Sequence, residues 1–72
     1  MPYRTNANLP PSLRERLPFH AQDIYREAFN HAWAHYASAG ERQDEIAHRI
    51  AWAAVKKSYR KIGERWVEKP TP

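Results

Sequence analysis

The sequence has no cysteine among its 72 residues, which excludes disulfide bonds and metal sites built from thiolates. Domains of this size often depend on such cross-links, because a short chain buries little apolar surface. The fold must therefore be stabilised by packed apolar side chains. Three tryptophans, four tyrosines and two phenylalanines supply large apolar areas for this purpose.

Long apolar runs are also missing. No segment approaches the roughly 20 apolar residues that a membrane-spanning helix needs. The first ten residues include Pro2, Arg4, Asn6 and Pro10, and the apolar core of a signal peptide does not follow them. We therefore expect a single domain over residues 1–72, located in the cytoplasm and not inserted in a membrane.

Groups that could support catalysis are scarce. Two glycines are too few for a phosphate-binding loop, and no pair of carboxylates lies in an apolar segment. His20 has no convincing nucleophile to activate, because the hydroxyl side chains are scattered along the chain: Thr5, Ser12, Ser38, Ser58 and Thr71. We expect no enzymatic activity, no catalytic residue and no cofactor.

A histidine pair is the candidate metal site of the sequence. His31 and His35 are four residues apart, a spacing at which two imidazoles on one helix can share a metal ion, and Glu27 lies one turn earlier. No third ligand is evident, and short matches of this kind have a high false-positive rate. We favour ordinary residues at the edge of a core and expect no metal.

The apolar residues recur with helical spacing. Leu13 and Leu17 predict a short first helix from Ser12 to Leu17, which Pro18 ends. A longer second helix is predicted from a stripe with a period of 3.6 residues. The stripe consists of Ala21, Ile24, Tyr25, Ala28, Phe29, Ala32, Trp33, Tyr36 and Ala37, and its aromatic members are expected in the core. The opposite face is mainly polar and holds Gln22, Asp23, Arg26, Glu27, Asn30 and Ala34.

The ends of the long helices also leave signals. His20 followed by Asp23 resembles a capping box for the second helix, and Gly40 is suited to end it. A third helix is predicted from Arg42 to Ile62, with Gly63 as its stop. The short link predicts that the second and third helices are antiparallel and share most of the core.

The two ends of the chain are short and extended in character. Arg65–Glu68 is rich in residues that favour strands, and we expect it to pair with Pro2–Thr5 as a two-stranded ribbon formed by the termini. The predicted fold class is therefore mainly α. It is a small three-helix domain with a short helix 1, long antiparallel helices 2 and 3, and this ribbon.

Positive charge is concentrated near the end of the chain. The net charge is +4, and the residues from Ala54 onward carry six lysines and arginines against Glu64 and Glu68. Such asymmetry indicates an acidic partner, which is nucleic acid, an anionic membrane surface or an acidic protein face. The alternative is a solvated helix end, where cations are favoured by the helix dipole.

Helical spacing also predicts a basic ridge on the third helix. At 100° per residue its four cations lie within about 40° of one another over roughly 27 Å, and they are Arg42, Arg49, Lys56 and Arg60. Lys57 and Lys61 flank the ridge on one side, with Trp52 and Tyr59 on the other. The candidate partner-binding residues are Arg42, Arg49, Trp52, Lys56, Lys57, Arg60 and Lys61. The alternative is a core-edge tryptophan covered by long aliphatic stems, with Glu45 diluting the charge.

Two long blocks resemble the ChaB family. The first includes the run Leu17-Pro18-Phe19-His20-Ala21-Gln22-Asp23-Ile24-Tyr25 with Ala28-Phe29-Asn30 and Ala32-Trp33. The second is Ala47-His48-Arg49-Ile50-Ala51-Trp52-Ala53-Ala54-Val55-Lys56, and Tyr3-Arg4, Leu9-Pro10, Tyr59 and Trp66 fit as well. The resemblance implies a mainly helical fold with a small terminal sheet. It also implies regulation of cation transport in association with a sodium/calcium–proton antiporter, while some viral relatives are described as nucleic-acid binders.

Two functions follow as hypotheses. The first is a non-enzymatic regulatory adaptor that docks on a protein, such as the cytosolic face of a cation antiporter, as the resemblance implies. The second is a small nucleic-acid-binding protein that uses the basic third helix. Salt separates them, because phosphate contacts make affinity fall steeply with salt concentration and apolar docking does not.

Overall fold

A computed structural model describes residues 2–70 of the chain. It consists of α1 (Pro11–Arg16), α2 (Phe19–His35), α3 (Gln43–Ser58), β1 (Tyr59–Ile62) and β2 (Arg65–Glu68). Short 3-10 turns cover Asn6–Asn8 and Ala37–Arg42, before α1 and between the long helices. The predicted three-helix fold with a two-stranded sheet is confirmed.

The long helices α2 and α3 form an antiparallel pair. At one end, the Gln43 side chain donates a hydrogen bond to the carbonyl of Trp33. At the other end, α2 reaches Tyr59, the residue that follows α3, through a contact with His20. Small side chains let the helices approach closely, and the buried alanines in this part of the core are Ala21, Ala32, Ala47 and Ala51.

The N-terminal segment completes the core that the helix pair leaves open. Leu9, Leu13 and Leu17 are all buried and belong to the same cluster as Tyr25. The ring of Tyr3 packs against Phe29 with 4.9 Å between the ring centroids. Residues before α2 therefore form a third wall of the domain.

The polar face of α2 holds this segment in place. The side-chain amide of Asn30 pairs with the backbone of Tyr3 at two points: Tyr3 N donates to Oδ1 over 2.7 Å, and Nδ2 donates to the Tyr3 carbonyl over 2.6 Å. Asn6 donates to Asp23 over 2.7 Å and accepts from Arg26 over 2.8 Å. The helix face predicted to be polar is thus a docking face for the chain's own N-terminal segment.

A third polar contact fixes the start of α2. Gln22 is buried, and its Nε2 donates to the carbonyl of Leu17 over 2.9 Å and to that of Arg14 over 3.3 Å. Both carbonyls lie at or just after the end of α1, where they have no helical partner. Gln22 therefore joins the end of α1 to α2.

The sheet differs from the prediction in its partner strand. β2 pairs antiparallel with β1, in a register that places Tyr59 opposite Glu68 and Ile62 opposite Arg65. The predicted pairing of Arg65–Glu68 with Pro2–Thr5 is therefore wrong, because Asn30 occupies the backbone of that N-terminal segment. The third helix ends at Ser58 and not at Ile62.

Gly63 lies at the turn of this hairpin. It is the first of two turn residues between β1 and β2, and its φ of 62° is the conformation that a two-residue type II′ hairpin turn requires at that position. Glycine adopts this φ without the strain that a side chain would add. Because β1 and β2 pair on either side of it, Gly63 belongs to a hairpin turn and does not cap a helix.

Two details of α2 also differ from the prediction. Its N-cap is Pro18, and no side-chain cap is present, so the capping box of His20 with Asp23 is wrong. The helix ends at His35, which leaves the ring of Tyr36 37% exposed. Of the predicted aromatic stripe, Tyr25 and Phe29 are buried and Trp33 is half-buried.

We predict that Asn30→Ala will lower the free energy of unfolding by about 1–3 kcal/mol, because it leaves the N–H and carbonyl of Tyr3 without their partners. Urea denaturation followed by circular dichroism measures the change. The matched control is His31→Ala, an exposed neighbour on α2 with the same helix-forming replacement, which should change stability by less than about 0.5 kcal/mol. Equal values for the two variants would contradict the role given to Asn30.

A candidate basic surface where the third helix meets the hairpin

The predicted basic ridge divides between two elements. Arg42 is the N-cap of α3, and Arg49, Lys56 and Lys57 lie on the helix. Arg60 and Lys61 lie on β1. The helical alignment of Arg60 with the ridge is therefore wrong, because the 100° spacing stops at Ser58.

The N-terminal half of the ridge is partly neutralised. The Glu45 carboxylate lies 3.0 Å from Nη2 of Arg49 and 3.9 Å from Nε of Arg42. All three side chains are more than half exposed, so these ion pairs add little to stability. Their consequence is electrostatic, because one carboxylate between two guanidinium groups weakens the local positive potential.

The cations in the C-terminal half of the ridge are not held in ion pairs with any described residue. We call Lys56, Lys57, Arg60 and Lys61 the basic corner, since they lie where α3 passes into β1, and all four are exposed. Within residues 2–70, no carboxylate comes within 4.0 Å of their charged groups. Unlike Arg42 and Arg49, these four cations are therefore available to an acidic partner.

Strand geometry sets the directions of the two hairpin cations. Successive side chains of a strand point to opposite faces, and Tyr59 points into the core. Arg60 therefore points outward, on the same face as Ile62, which is 54% exposed. Lys61 lies on the face of Tyr59 and opposite Trp66. The outer face of β1 thus combines a cation with an exposed aliphatic side chain.

Trp52 packs between the core and the hairpin. Its ring centroid lies 5.7 Å from that of Tyr25 and 5.2 Å from that of Trp66, and the side chain is half-buried. Both neighbours are aromatic, so the ring connects α2 to β2 through α3. This is the arrangement of a core-edge tryptophan, in which the ring is occupied by packing.

Two tyrosine hydroxyls share hydrogen bonds with histidines across this region. The hydroxyl of Tyr25 lies 2.7 Å from Nδ1 of His48, and that of Tyr59 lies 3.2 Å from Nδ1 of His20. Burial raises the pKa of Tyr25, with a further contribution from Tyr3. Burial also raises the pKa of Tyr59, and the Glu68 carboxylate adds to that shift. Both phenols therefore remain neutral donors or acceptors at neutral pH.

The structure brings no third ligand to the candidate histidine pair within residues 2–70. His31 is exposed on α2 and His35 is exposed at its end. Over residues 2–70, no group of three histidine, aspartate or glutamate side chains is placed to hold a metal ion. The same residues contain no helix that is long and apolar enough to span a membrane.

A groove on the N-terminal side of the domain was not foreseen. It encloses about 590 Å³ between the segment Arg4–Ala7 and the first turns of α2, and Arg14, Phe19 and Arg26 contribute to its walls. The sequence signals were the polar face of α2 and Phe19, an aromatic residue that lies outside the predicted apolar stripe. These signals could not predict the groove, because the groove forms only when the N-terminal segment lies on α2.

Comparisons with known proteins agree on one family. The ChaB family model matches residues 9–69. The "Putative cation transport regulator ChaB" of Escherichia coli strain K12 is 49% identical over 75 residues, covering 96% of this chain and 99% of that protein. The protein of the same name from Shigella flexneri gives the same values.

A solved structure also matches nearly the whole chain. The "NMR solution structure of the putative cation transport regulator ChaB" matches with a TM-score of 0.84 and 47% identity. The match covers 96% of this chain and all of the other. Similarity of sequence and of backbone therefore extends over nearly the whole chain.

We predict a loss of stability at alkaline pH that depends on Tyr25. Tyrosine in the unfolded chain ionises near pH 10, whereas the raised pKa keeps folded Tyr25 protonated. The unfolded state then binds fewer protons, so the free energy of unfolding falls as pH rises above 10, by up to about 1.4 kcal/mol per pH unit. In urea denaturation between pH 9 and 11, Tyr25→Phe should show a shallower decline.

The control for this measurement is Tyr36→Phe, which removes an exposed tyrosine and should keep the wild-type pH dependence. A wild-type slope in Tyr25→Phe would show that Tyr25 does not contribute to the alkaline decline.

Proposed function

This chain belongs to the ChaB family, and from that premise we propose that it regulates cation transport, without catalysis, by docking on the cytosolic face of a cation antiporter. The observation that carries the proposal is the identity of 49% to proteins named as cation transport regulators, over nearly the full length of both chains. The chain would act in the cytoplasm, as a separate domain that binds the transporter without entering the membrane.

The basic corner supports docking on an acidic protein surface. Lys56, Lys57, Arg60 and Lys61 are exposed and retain their charge, which favours association with an oppositely charged face and orients the encounter. Ile62, beside Arg60, adds apolar area that a protein partner can bury. Charge sets the approach, and the apolar contact then slows dissociation.

Nucleic acid is the second candidate, because the same four cations can neutralise phosphates. The position of Trp52 argues for a protein, since its ring is half-buried and packs against Tyr25 and Trp66, which leaves less of it open for stacking bases. Binding of nucleic acid would then depend on phosphate contacts alone and would show little sequence preference.

We predict that Lys56→Glu combined with Arg60→Glu will abolish regulation while the melting curve stays nearly unchanged, since exposed charges contribute little to stability. The measurement is cation–proton exchange in everted membrane vesicles that contain the antiporter, with and without the purified protein. The matched control reverses two other exposed cations, in Arg16→Glu combined with Arg65→Glu, and it should regulate like the wild type.

A nucleic-acid arm completes this test. If a 20-base-pair duplex binds through the four cations, raising salt from 50 to 200 mM should weaken binding roughly 150-fold, and the corner variant should not bind. Exchange that is insensitive to the protein, together with this salt dependence, would replace the transporter proposal by the nucleic-acid one. Exchange that the corner variant still regulates would show that docking uses another surface.

A further inference from the structure

The groove between Arg4–Ala7 and α2 shares no lining residue with the basic corner. Its volume of about 590 Å³ lies within the range of sites that bind small molecules or a few side chains of a peptide. Three arginines and one aspartate supply its charge, and they are Arg4, Arg14, Arg26 and Asp23. Three positive charges minus one negative charge leave a net charge of +2 on its walls.

Two of these arginines are already oriented by the fold. Arg14 donates from Nε to the carbonyl of Leu9 over 3.2 Å. Arg26 donates from Nε to Asn6 over 2.8 Å, and its Nη2 lies 3.6 Å from Asp23. Held at Nε, these guanidinium groups lose less side-chain entropy when a ligand binds their remaining N–H groups. Arg4 has no ion pair among residues 2–70, so its whole guanidinium group is open to a ligand.

The start of α2 adds to the positive potential and supplies an apolar ring. No acidic residue lies in the first turn of α2, and Pro18 provides no side-chain cap. The first N–H groups of the helix and its dipole therefore favour an anion nearby. Phe19, the first residue of the helix, is 73% exposed at the edge of the groove, where an apolar group of a ligand can cover it.

We propose that this groove binds a short acidic peptide segment of a protein partner, with carboxylates on the Arg4 and Arg14 guanidinium groups and an apolar side chain against Phe19. Guanidinium groups match carboxylates in a two-point geometry. The net charge of +2 suits one or two carboxylates, while Asp23 disfavours the dense charge of a phosphate backbone. The assignment rests on the proposed function in taking the partner to be a protein, and it adds the chemistry of the segment bound.

The probe is the capped peptide acetyl-Gly-Glu-Phe-Glu-Gly-amide, titrated into the ¹⁵N-labelled full chain and followed by amide chemical shifts. We expect the shifts to concentrate in residues 4–7 and 19–26. Arg4→Gln and Phe19→Ser each change an exposed side chain, so the fold should persist, and each should weaken binding about tenfold or more. A control peptide with glutamine in place of both glutamates should bind the wild-type chain at least as weakly as the original peptide binds these variants.

The corner variant, Lys56→Glu with Arg60→Glu, is the control and should bind the peptide like the wild type. Shifts that concentrate in residues 56–61, or an Arg4→Gln variant with unchanged affinity, would overturn the proposal. Inorganic phosphate that displaces the peptide at equal concentration would also overturn it, because the groove would then select a phosphate anion. If the peptide does not bind but the protein still regulates cation–proton exchange, only the groove proposal is rejected. If the peptide binds but the protein does not regulate exchange, only the transporter role is rejected.

Discussion

The two-point pairing of the Asn30 amide with the backbone of Tyr3 is the contact on which the arrangement of this domain depends. Two antiparallel helices bury one face each and leave the large side chains of their core open on a third side. The N-terminal segment closes that side with Leu9, Leu13 and Leu17, and its position is set by hydrogen bonds from α2. A polar helix face thus determines where the apolar wall lies, and the groove at Phe19 is a product of the same arrangement.

Much of the helical part was predictable because it depends on local spacing. The stripes of α2 and α3 have a helical period, and small residues such as Ala47 and Ala51 fall where the helices meet. The hairpin was not predictable in the same way, because Tyr59 and Ile62 continue a helical pattern, and a glycine with a positive φ suits a helix C-cap as well as a hairpin turn. Arg65–Glu68 was correctly assigned as a strand, but its partner depends on where the N-terminal segment is held.

The candidate sites also differ in whether local spacing or distant contacts determine them. Lys56 and Lys57 could be placed from periodicity, since they lie on α3. The outward direction of Arg60 could not, because it follows from strand alternation after Ser58. The groove depends on contacts between residues that are distant in sequence, such as Asn6 with Asp23, and a single sequence gives no signal for them. Trp52 connects the basic corner to the core, since its contacts with Tyr25 and Trp66 attach the hairpin to the helices.

The separation in sequence between contacting residues also bears on how the chain acquires its shape. Tyr3 and Asn30 are 27 residues apart, whereas Tyr59 and His20 are 39 apart. The difference in loop-closure entropy between them is only about 0.3 kcal/mol, too small to order the two events. Synthesis does order them, since the α2 residues that hydrogen-bond the N-terminal segment, Asp23, Arg26 and Asn30, precede α3. On the ribosome, the first half of the chain can therefore assemble around the polar side of α2 before the apolar side receives its partner helix.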